Sequence, residues 1–315
     1  MSAPPASRFL DLPALAALEH LRFAPRQRIE GTYSGRHVSR RHGGAGEFAD
    51  FREYSEGEDL RRLDWKVLAR TGRAYTRLYQ DETNVVCTLV LDASASMLFR
   101  VSSVGRIFNP SSSPPTTAAT TSKLEYVQFL ATALSQIISR QQDQVGLAIA
   151  ASELREFLPP GSTSGHVAHL QGIVAETRTE PVTNLAGALG TLFQRLNRRG
   201  ALMILSDFLV DDLEAVFAAV QLFRHRRFEV IALQIVHPEE ERLPEGTAYR
   251  FEGLEGEGSL SCSPAEIRMA YQERFEHHAS MVRTLALAAG CDYHRVSTAV
   301  PYLDTLSKFL VERTG

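Results

Sequence analysis

The stretch Val85-Val86-Cys87-Thr88-Leu89-Val90-Leu91-Asp92-Ala93-Ser94-Ala95-Ser96-Met97 decides the fold of this chain. Its first half is a short continuous run of branched and aliphatic residues. That is how a strand buried on both faces of a parallel sheet reads. One carboxylate and two hydroxyls, Asp92, Ser94 and Ser96, then alternate on a tight loop at the carboxyl end of that strand. Open α/β sheets bind ligands at that edge. Three oxygen side chains on one loop suit a hard cation such as Mg²⁺, which takes oxygen ligands in octahedral geometry. The Asp-x-Ser-x-Ser pattern alone is weak, because serines after a strand are often only helix caps.

Two later segments strengthen it. Pro181-Val182-Thr183-Asn184-Leu185 sets a hydroxyl just before an amphipathic helix. Ala201-Leu202-Met203-Ile204-Leu205-Ser206-Asp207 is a second buried strand ending in a carboxylate. The order strand–DxSxS, Thr before a helix, strand–Asp resembles the metal-ion-dependent adhesion site of von Willebrand factor A domains. That resemblance implies five site residues, Asp92, Ser94, Ser96, Thr183 and Asp207, around Mg²⁺, with Mn²⁺ or Ca²⁺ as substitutes. The plainer alternative is that Asp207 and Thr183 only cap their loops.

The 315 residues exceed the usual single-domain size but fit one large α/β domain with an appendage. Apolar residues at 44% and charged ones at 23% are ordinary for a globular protein with a substantial core. A net charge of −3 supplies no global field toward nucleic acid or anionic lipid. The three cysteines, Cys87, Cys262 and Cys291, show no CxxC spacing, and a reducing, cytoplasmic setting fits them best. Cys87 reads as a small core residue of the first strand. Neither a secretory leader nor a run of about 18 apolar residues is present, so no membrane span is expected.

Residues 83 to 236 alternate strands and helices, which implies a parallel sheet with helices on both faces. The expected architecture is a doubly wound, mostly parallel, Rossmann-type sheet with the Val85–Leu91 strand near its centre. A helix runs from about Lys123 to Arg140, with Leu124, Val127, Leu130, Leu134, Ile137 and Ile138 on one side. Val145–Ile149 and Leu154–Leu158 lie close enough for a hairpin, giving an antiparallel edge. Asn184 caps a helix that Gly200 ends, and Asp211 or Asp212 opens the next. Phe228–Val236 is a further buried strand, and Arg250–Cys262 reads as a protruding hairpin. Ser263-Pro264-Ala265-Glu266 is a capping box opening a long helix to about Ala289. Tyr293–Val296 and a helix from Pro301 to Glu312 complete the domain. Near the amino terminus, Asp11 and Pro13 open a helix whose Leu12, Leu15, Leu18 and Leu21 dock on the body. The first eight or so residues are expected to be disordered. Residues 101–122 form a low-complexity Ser/Thr/Pro insertion with little to bury.

The stretch Gly43-Gly44-Ala45-Gly46-Glu47-Phe48-Ala49-Asp50-Phe51-Arg52-Glu53-Tyr54, continuing to Leu63-Asp64-Trp65-Lys66-Val67-Leu68-Ala69-Arg70, is dense in charge and holds the only tryptophan. It resembles the signature of a bacterial family, domain of unknown function fifty-eight, approximately GxGxEFxDxRxYxxGDDxRxIDWxxxAR. The resemblance runs from about Gly35 to the carboxyl end. Departures are Glu56, Glu58 and Leu63, where Pro, Asp and Ile are common, and the 101–122 insertion. Residues 1–82 are therefore an amino-terminal extension packed on an A-like domain of residues 83–315. Arg52, Arg61, Arg62 and Arg70 beside Asp50, Glu53, Asp59 and Asp64 form a salt-bridged brace with Trp65 as its buried anchor. Pairing of this kind stabilises ionised acids and weakens them as bases. The basic block 22–42 and the acidic block 47–59 are expected to neutralise each other rather than to form a nucleic-acid patch.

Catalytic motifs are mostly missing. Gly161-Ser162-Thr163-Ser164-Gly165 has threonine where a GxSxG elbow needs its nucleophile, and there is no GxxxxGK[ST], GxGxxG or HExxH. His277 and His278 are read as solvated helix residues. In A domains the metal serves binding, through an open position that an acidic side chain of the partner fills. The family commonly accompanies MoxR-type AAA+ ATPases. The resemblance thus implies a non-enzymatic, metal-dependent adaptor working with such an ATPase in chaperone-like assembly or activation of a client. The alternative is a Mg²⁺-dependent hydrolase built on Asp92 and Asp207, which would still need a positioned base.

Overall fold

The computed structural model describes residues 8–25, 34–39, 47–54, 63–83, 85–99, 121–243, 249–254 and 258–314. Residues 1–7, most of the insertion (101–120) and much of the charged signature lie outside them. Contacts divide the chain into two compact units, Met1–Gln27 with Val86–Gly315, and Arg28–Val85. The described residues 8–25 thus belong with the α/β unit.

In that unit the short helix α1 (Leu12–Ala16) starts at Asp11, whose Oδ1 accepts the Ala14 amide at 3.0 Å. Leu15, Leu18 and Leu21 are buried, whereas Leu12 stays exposed. In the smaller unit, strands β1 (Ser34–Ser39), β2 (Glu47–Glu53) and β3 (Tyr75–Thr83) form an antiparallel sheet of order β1-β3-β2. Between β2 and β3 sits the helix α2 (Trp65–Thr71). Asp64 caps α2 by accepting the Lys66 and Val67 amides, and Gly72, at φ 69°, ends it in the left-handed conformation. Trp65 is not the buried anchor of a brace. At the first position of α2 it is 59% exposed. The brace itself rests mainly on side chains outside the described residues.

The larger unit is built on six strands: β4 (Val86–Asp92), β5 (Gln144–Ala150), β6 (Leu154–Gly161), β7 (Ala201–Ser206), β8 (Glu229–Val236) and, after a small hairpin of β9 (Tyr249–Glu252) and β10 (Ser259–Cys262), β11 (Asp292–Ser297). Their order is β11-β8-β7-β4-β5-β6, so β4 lies inside the sheet. All neighbours are parallel except β6, which returns antiparallel to β5 and forms one edge. β6 closes with Pro159 and Pro160. Every residue of β4, β7 and β8 is buried, as uninterrupted apolar runs require when helices cover both faces.

Alternation within the strands assigns the faces. Val90, Ala148, Leu202, Ile204 and Val230 meet α5 (Leu185–Arg195), α6 (Leu213–His225) and α8 (Pro264–Ala288) in one apolar cluster. Helix α3 (Lys123–Arg140), with α4 (Ser164–Glu176) and α9 (Tyr302–Thr314) beside it, packs near Leu233 on the other side. Each fully buried leucine or isoleucine in these layers contributes roughly 1.5–3 kcal/mol. Caps set the helix starts: Ser122 Oγ, Asn184 Oδ1 and Asp212 Oδ1 accept the amides of Glu125, Gly187 and Ala215. The remaining helix, α7 (Pro238–Glu241), is a single turn after β8.

Several local expectations are corrected. The Gly161–Gly165 segment ends β6 at Gly161 and opens α4 at Ser164, where Thr163 Oγ1 caps the helix by accepting the His166 amide. Gly200 does not end α5, which stops at Leu196. A Cβ at Gly200 would lie 2.2 Å from the Val86 carbonyl oxygen, so glycine is there for close passage beside β4. Ser263 does precede α8, but its side chain makes no capping bond, so no capping box forms. Cys87 and Cys291 are buried, Cys262 is half-buried, and all three thiols are free. Among the described residues, no helix is long and apolar enough to cross a membrane.

Candidate metal centre

Strand β4 delivers Asp92 to the carboxyl edge of the sheet with 1% of its surface exposed. Its Oδ1 accepts the Ser94 amide at 2.9 Å, which folds the chain back into the short turn Ala95–Leu98. Within that turn the Ser94 and Ser96 hydroxyls are 3.0 Å apart and share one hydrogen bond. Asp92, Ser94 and Ser96 thus form one hydrogen-bonded group.

Asp207 arrives from the neighbouring strand β7. Ser206 Oγ donates to Asp92 Oδ2 at 2.5 Å and accepts the Phe208 amide at 2.8 Å, so it fastens the two loops together. Phe208 has φ 58°, a left-handed conformation that is uncommon for an aromatic residue and clusters at functional sites. It turns the chain so that Asp207 Oδ1 accepts the Leu209 amide at 3.0 Å. Asp207 lies near enough to Asp92 for its charge to matter. Burial first, and then the charge of Asp207, push the Asp92 carboxyl up to about 6, against the bonds from Ser206 and Ser94.

Thr183 comes from a third loop. The Glu180 amide donates to Ala93 O at 2.8 Å, and the Asn184 amide to Ala151 O at 2.7 Å. Thr183 is therefore carried on a segment pinned at both ends to the loops that follow β4 and β5. Its Oγ1 is buried without a hydrogen-bond partner.

The candidate donors are one carboxylate, Asp92, and the hydroxyls of Ser94, Ser96 and Thr183, with the Asp207 carboxylate close to Asp92. These are hard oxygen ligands of the kind that Mg²⁺ takes. Leaving a buried hydroxyl unbonded costs about 1–3 kcal/mol, a cost that an oxygen-seeking cation at Thr183 would remove. Residues and group therefore fit. Among the described residues, no set of three or more His, Cys, Asp or Glu side chains forms an alternative metal cage.

Over residues 50–281 the chain matches the model of a family described as a protein of unknown function, DUF58. The chain belongs to the DUF58 family. This DUF58 chain is also similar to the uncharacterized protein Rv1480 of Mycobacterium tuberculosis and to the uncharacterized protein Mb1516 of Mycobacterium bovis. Each is 27% identical over 245 residues, covering 75% of this chain and 69% of the relative. Among solved structures it is similar to BatB from Bacteroides thetaiotaomicron, with 18% identity and a TM-score of 0.46, over 73% of this chain and 99% of that one. It is similar to the SpRpn10 VWA domain, with 10% identity and a TM-score of 0.38, over 71% and 94% of the two chains. A third likeness is to proximal thread matrix protein 1 of the mussel byssus, solved with a zinc-occupied MIDAS motif. Identity is 12% and TM-score 0.37, over 73% and 44% of the chains. The strand order, rather than these likenesses, establishes the α/β fold of the DUF58 chain.

The DUF58 site contains residues that sequence reasoning passed over. Lys123, at the first turn of α3, is fully buried, and its Nζ donates to Asp207 Oδ2 at 2.6 Å and to Glu240 Oε1 at 2.5 Å. Burial opposes its charge, but the carboxylates of Asp207 and Glu240 outweigh it and hold the ammonium above the ordinary lysine range. Glu240 comes from α7, where its side chain also accepts the His237 amide at 3.0 Å. Asp92, Asp207 and Glu240 against Lys123 leave a formal charge of −2, which a divalent cation would balance. The signal for Lys123 was a lysine at an inward helical position, four residues before Val127 and seven before Leu130. His278 is not a solvated histidine. It is half-buried, beside the backbone of Phe208 and within electrostatic range of Asp207. Its Nε2 is buried without a partner.

Proposed function

We propose that this chain is a protein-binding adaptor whose contact centre is a divalent cation, Mg²⁺ in the first instance. Asp92, Ser94, Ser96 and Thr183 would hold the ion, with Asp207 beside it. The cation would supply a fixed positive charge for a carboxylate of the partner, as is favourable near a low-dielectric surface. The observation that carries this reading is the buried, unbonded Thr183 hydroxyl, on a segment whose backbone is tied to Ala93 and Ala151. The surroundings support contact with a protein. Each of the three loops presents one exposed large apolar residue: Leu98 after Ser96, Val182 before Thr183 and Leu209 after Asp207. An apolar border around a polar centre is how protein interfaces are commonly composed.

The resemblance of Gly43–Arg70 to its family's signature makes a MoxR-type AAA+ ATPase the proposed partner, in a cytoplasmic setting. The test is affinity purification from native extract with and without Mg²⁺, comparing wild type with Asp92→Ala. Capture of the ATPase by wild type alone, and only with metal, is the expected result. Metal-independent capture, or none of any co-encoded ATPase, would sink the adaptor mechanism. A second reading, a Mg²⁺-dependent hydrolase using Asp92 and Asp207, draws on the unpartnered Nε2 of His278 near Asp207. Phosphate-ester turnover lost in both Asp92→Ala and His278→Ala would establish it.

A further inference from the structure

Packing does not explain the buried lysine beside the metal centre. Lys123 is the first residue of α3, and the amino end of a helix carries partial positive charge that disfavours a cation. Burial opposes its charge as well. The helix does not depend on it for its apolar face: Leu124, Val127, Leu130, Leu134, Ile137 and Ile138 are all buried along the same 18 residues. Buried ion pairs can often be replaced by apolar side chains of similar volume without loss of stability. On packing grounds alone, lysine is the wrong residue here.

Its neighbours form a chain of charge that leads to the metal centre. Nζ donates to Asp207 Oδ2 and to Glu240 Oε1, so one ammonium is shared between two carboxylates. Glu240 is itself fixed, because its other oxygen accepts the His237 amide within the capping box that opens α7. The Phe99 ring, with its centroid 5.9 Å from Nζ, and Tyr271, whose hydroxyl donates to Glu240 O at 2.7 Å, stand beside the group. Lys123, Asp207 and Glu240 are all buried, so dissolved salt screens little of their charge. Asp207 carries the effect onward, since its charge acts on Asp92.

The signs of the effects follow. The ammonium offsets the negative charge of Asp207 and so weakens the pull on a divalent ion at the centre. Glu240 draws on the same ammonium and restores part of that pull. Because the ion carries two charges, each contribution is doubled. We propose that Lys123 sets the cation affinity of the metal centre, lowering it through Asp207, with Glu240 as its counterweight. This role rests on the metal reading of Asp92, Ser94, Ser96 and Thr183 and deepens it. A centre held weak in this way favours loading of the ion together with the partner's carboxylate, which supplies the missing negative charge.

The test titrates Mg²⁺ into the full chain by isothermal titration calorimetry, with Mn²⁺ followed by electron paramagnetic resonance as a second probe. Lys123→Met should tighten binding by at least about tenfold, and Glu240→Gln should weaken it by a similar factor. The two changes combined should fall between the singles. Lys308→Met removes the same charge from an exposed position and should stay within about twofold of wild type. A merely structural lysine would instead weaken binding in both single variants. Thermal melts show which variants fold. Should Lys123→Met not fold, the combined variant decides, because it must bind more tightly than Glu240→Gln alone. Both singles moving the same way, or an equal effect of Lys308→Met, overturns the role of Lys123 and leaves the metal reading intact. Wild-type binding that survives Asp92→Ala, or no binding of either ion by the wild type, removes both.

Discussion

Lys123 Nζ lies 2.6 Å from Asp207 Oδ2, with both side chains out of contact with solvent. The pair joins the first turn of α3 to the end of β7, and Glu240 completes it from α7. A buried pair of this kind is weak evidence for net stability, but removing one partner strands the other charge. Lys123→Met should therefore destabilise the fold by about 3–5 kcal/mol in urea unfolding. Lys123→Met with Glu240→Gln should cost less than the two single changes added together. Strict additivity would show that the ammonium and the carboxylate do not act as a pair.

The metal reading makes a thermal prediction. Mg²⁺ or Mn²⁺ at about 100 times its dissociation constant should stabilise the wild type by about 2.7 kcal/mol, because it binds only the folded state. Asp92→Ala should abolish the rise in melting temperature, and Thr183→Val should reduce it. An equal rise in wild type and Asp92→Ala would place the ion elsewhere.

The apolar border can be separated from the ion. Leu98→Ser, Val182→Ser and Leu209→Ser alter exposed side chains and should each change stability by no more than about 0.5 kcal/mol. Combined, they should leave the metal-induced melting shift intact while lowering partner capture by at least about tenfold. Capture at the wild-type level would remove the border from the interface.

Gly200→Ala tests the passage beside β4. The new Cβ would meet the Val86 carbonyl oxygen at 2.2 Å, backbone against backbone, with no flexible side chain to yield. A loss of about 2 kcal/mol or more is expected in equilibrium unfolding. A neutral effect would mean that the two segments are not held in this register.

His237 gives a pH signature. Burial first, and then the charge of Lys123, lower its imidazole from 6.5 to about 4. The unfolded chain therefore binds the proton more readily between these values. The stabilising contribution is complete above about pH 6.5 and is lost as pH falls toward 4. His237→Asn, whose amide oxygen can accept the Glu239 amide in place of the imidazole Nδ1, should flatten the stability-versus-pH slope in this window. An unchanged slope would show that His237 is not the titrating group.

The sheet was legible because burial on both faces leaves continuous apolar runs, as in Val85–Leu91, Ala201–Leu205 and Phe228–Val236. Asn184 and Asp212 marked two helix starts through their short polar side chains. Helix α4 escaped because its residues between Ser164 and Glu176 include Gly165 and Gly172 and only a thin apolar stripe. The Ser94 and Ser96 hydroxyls were readable from spacing on one loop. Lys123 and Glu240 were not, since 117 residues separate them and only the folded sheet brings their charges together. Trp65 misled because a lone tryptophan suggests burial, whereas its place at the first turn of a capped helix turns it outward.

The two prolines that close β6 have a consequence for how this molecule meets others. Neither Pro159 nor Pro160 has an N–H, and Pro160 also lies against Gly146 of β5. A foreign strand laid along this margin would find a gap in the donors that it must satisfy. The margin is thereby blunted against fibre-like growth and against capture of extended chains. On this side of the sheet an encounter is steered to the ends of the strands, where the loops, and not the backbone ladder, choose the companion.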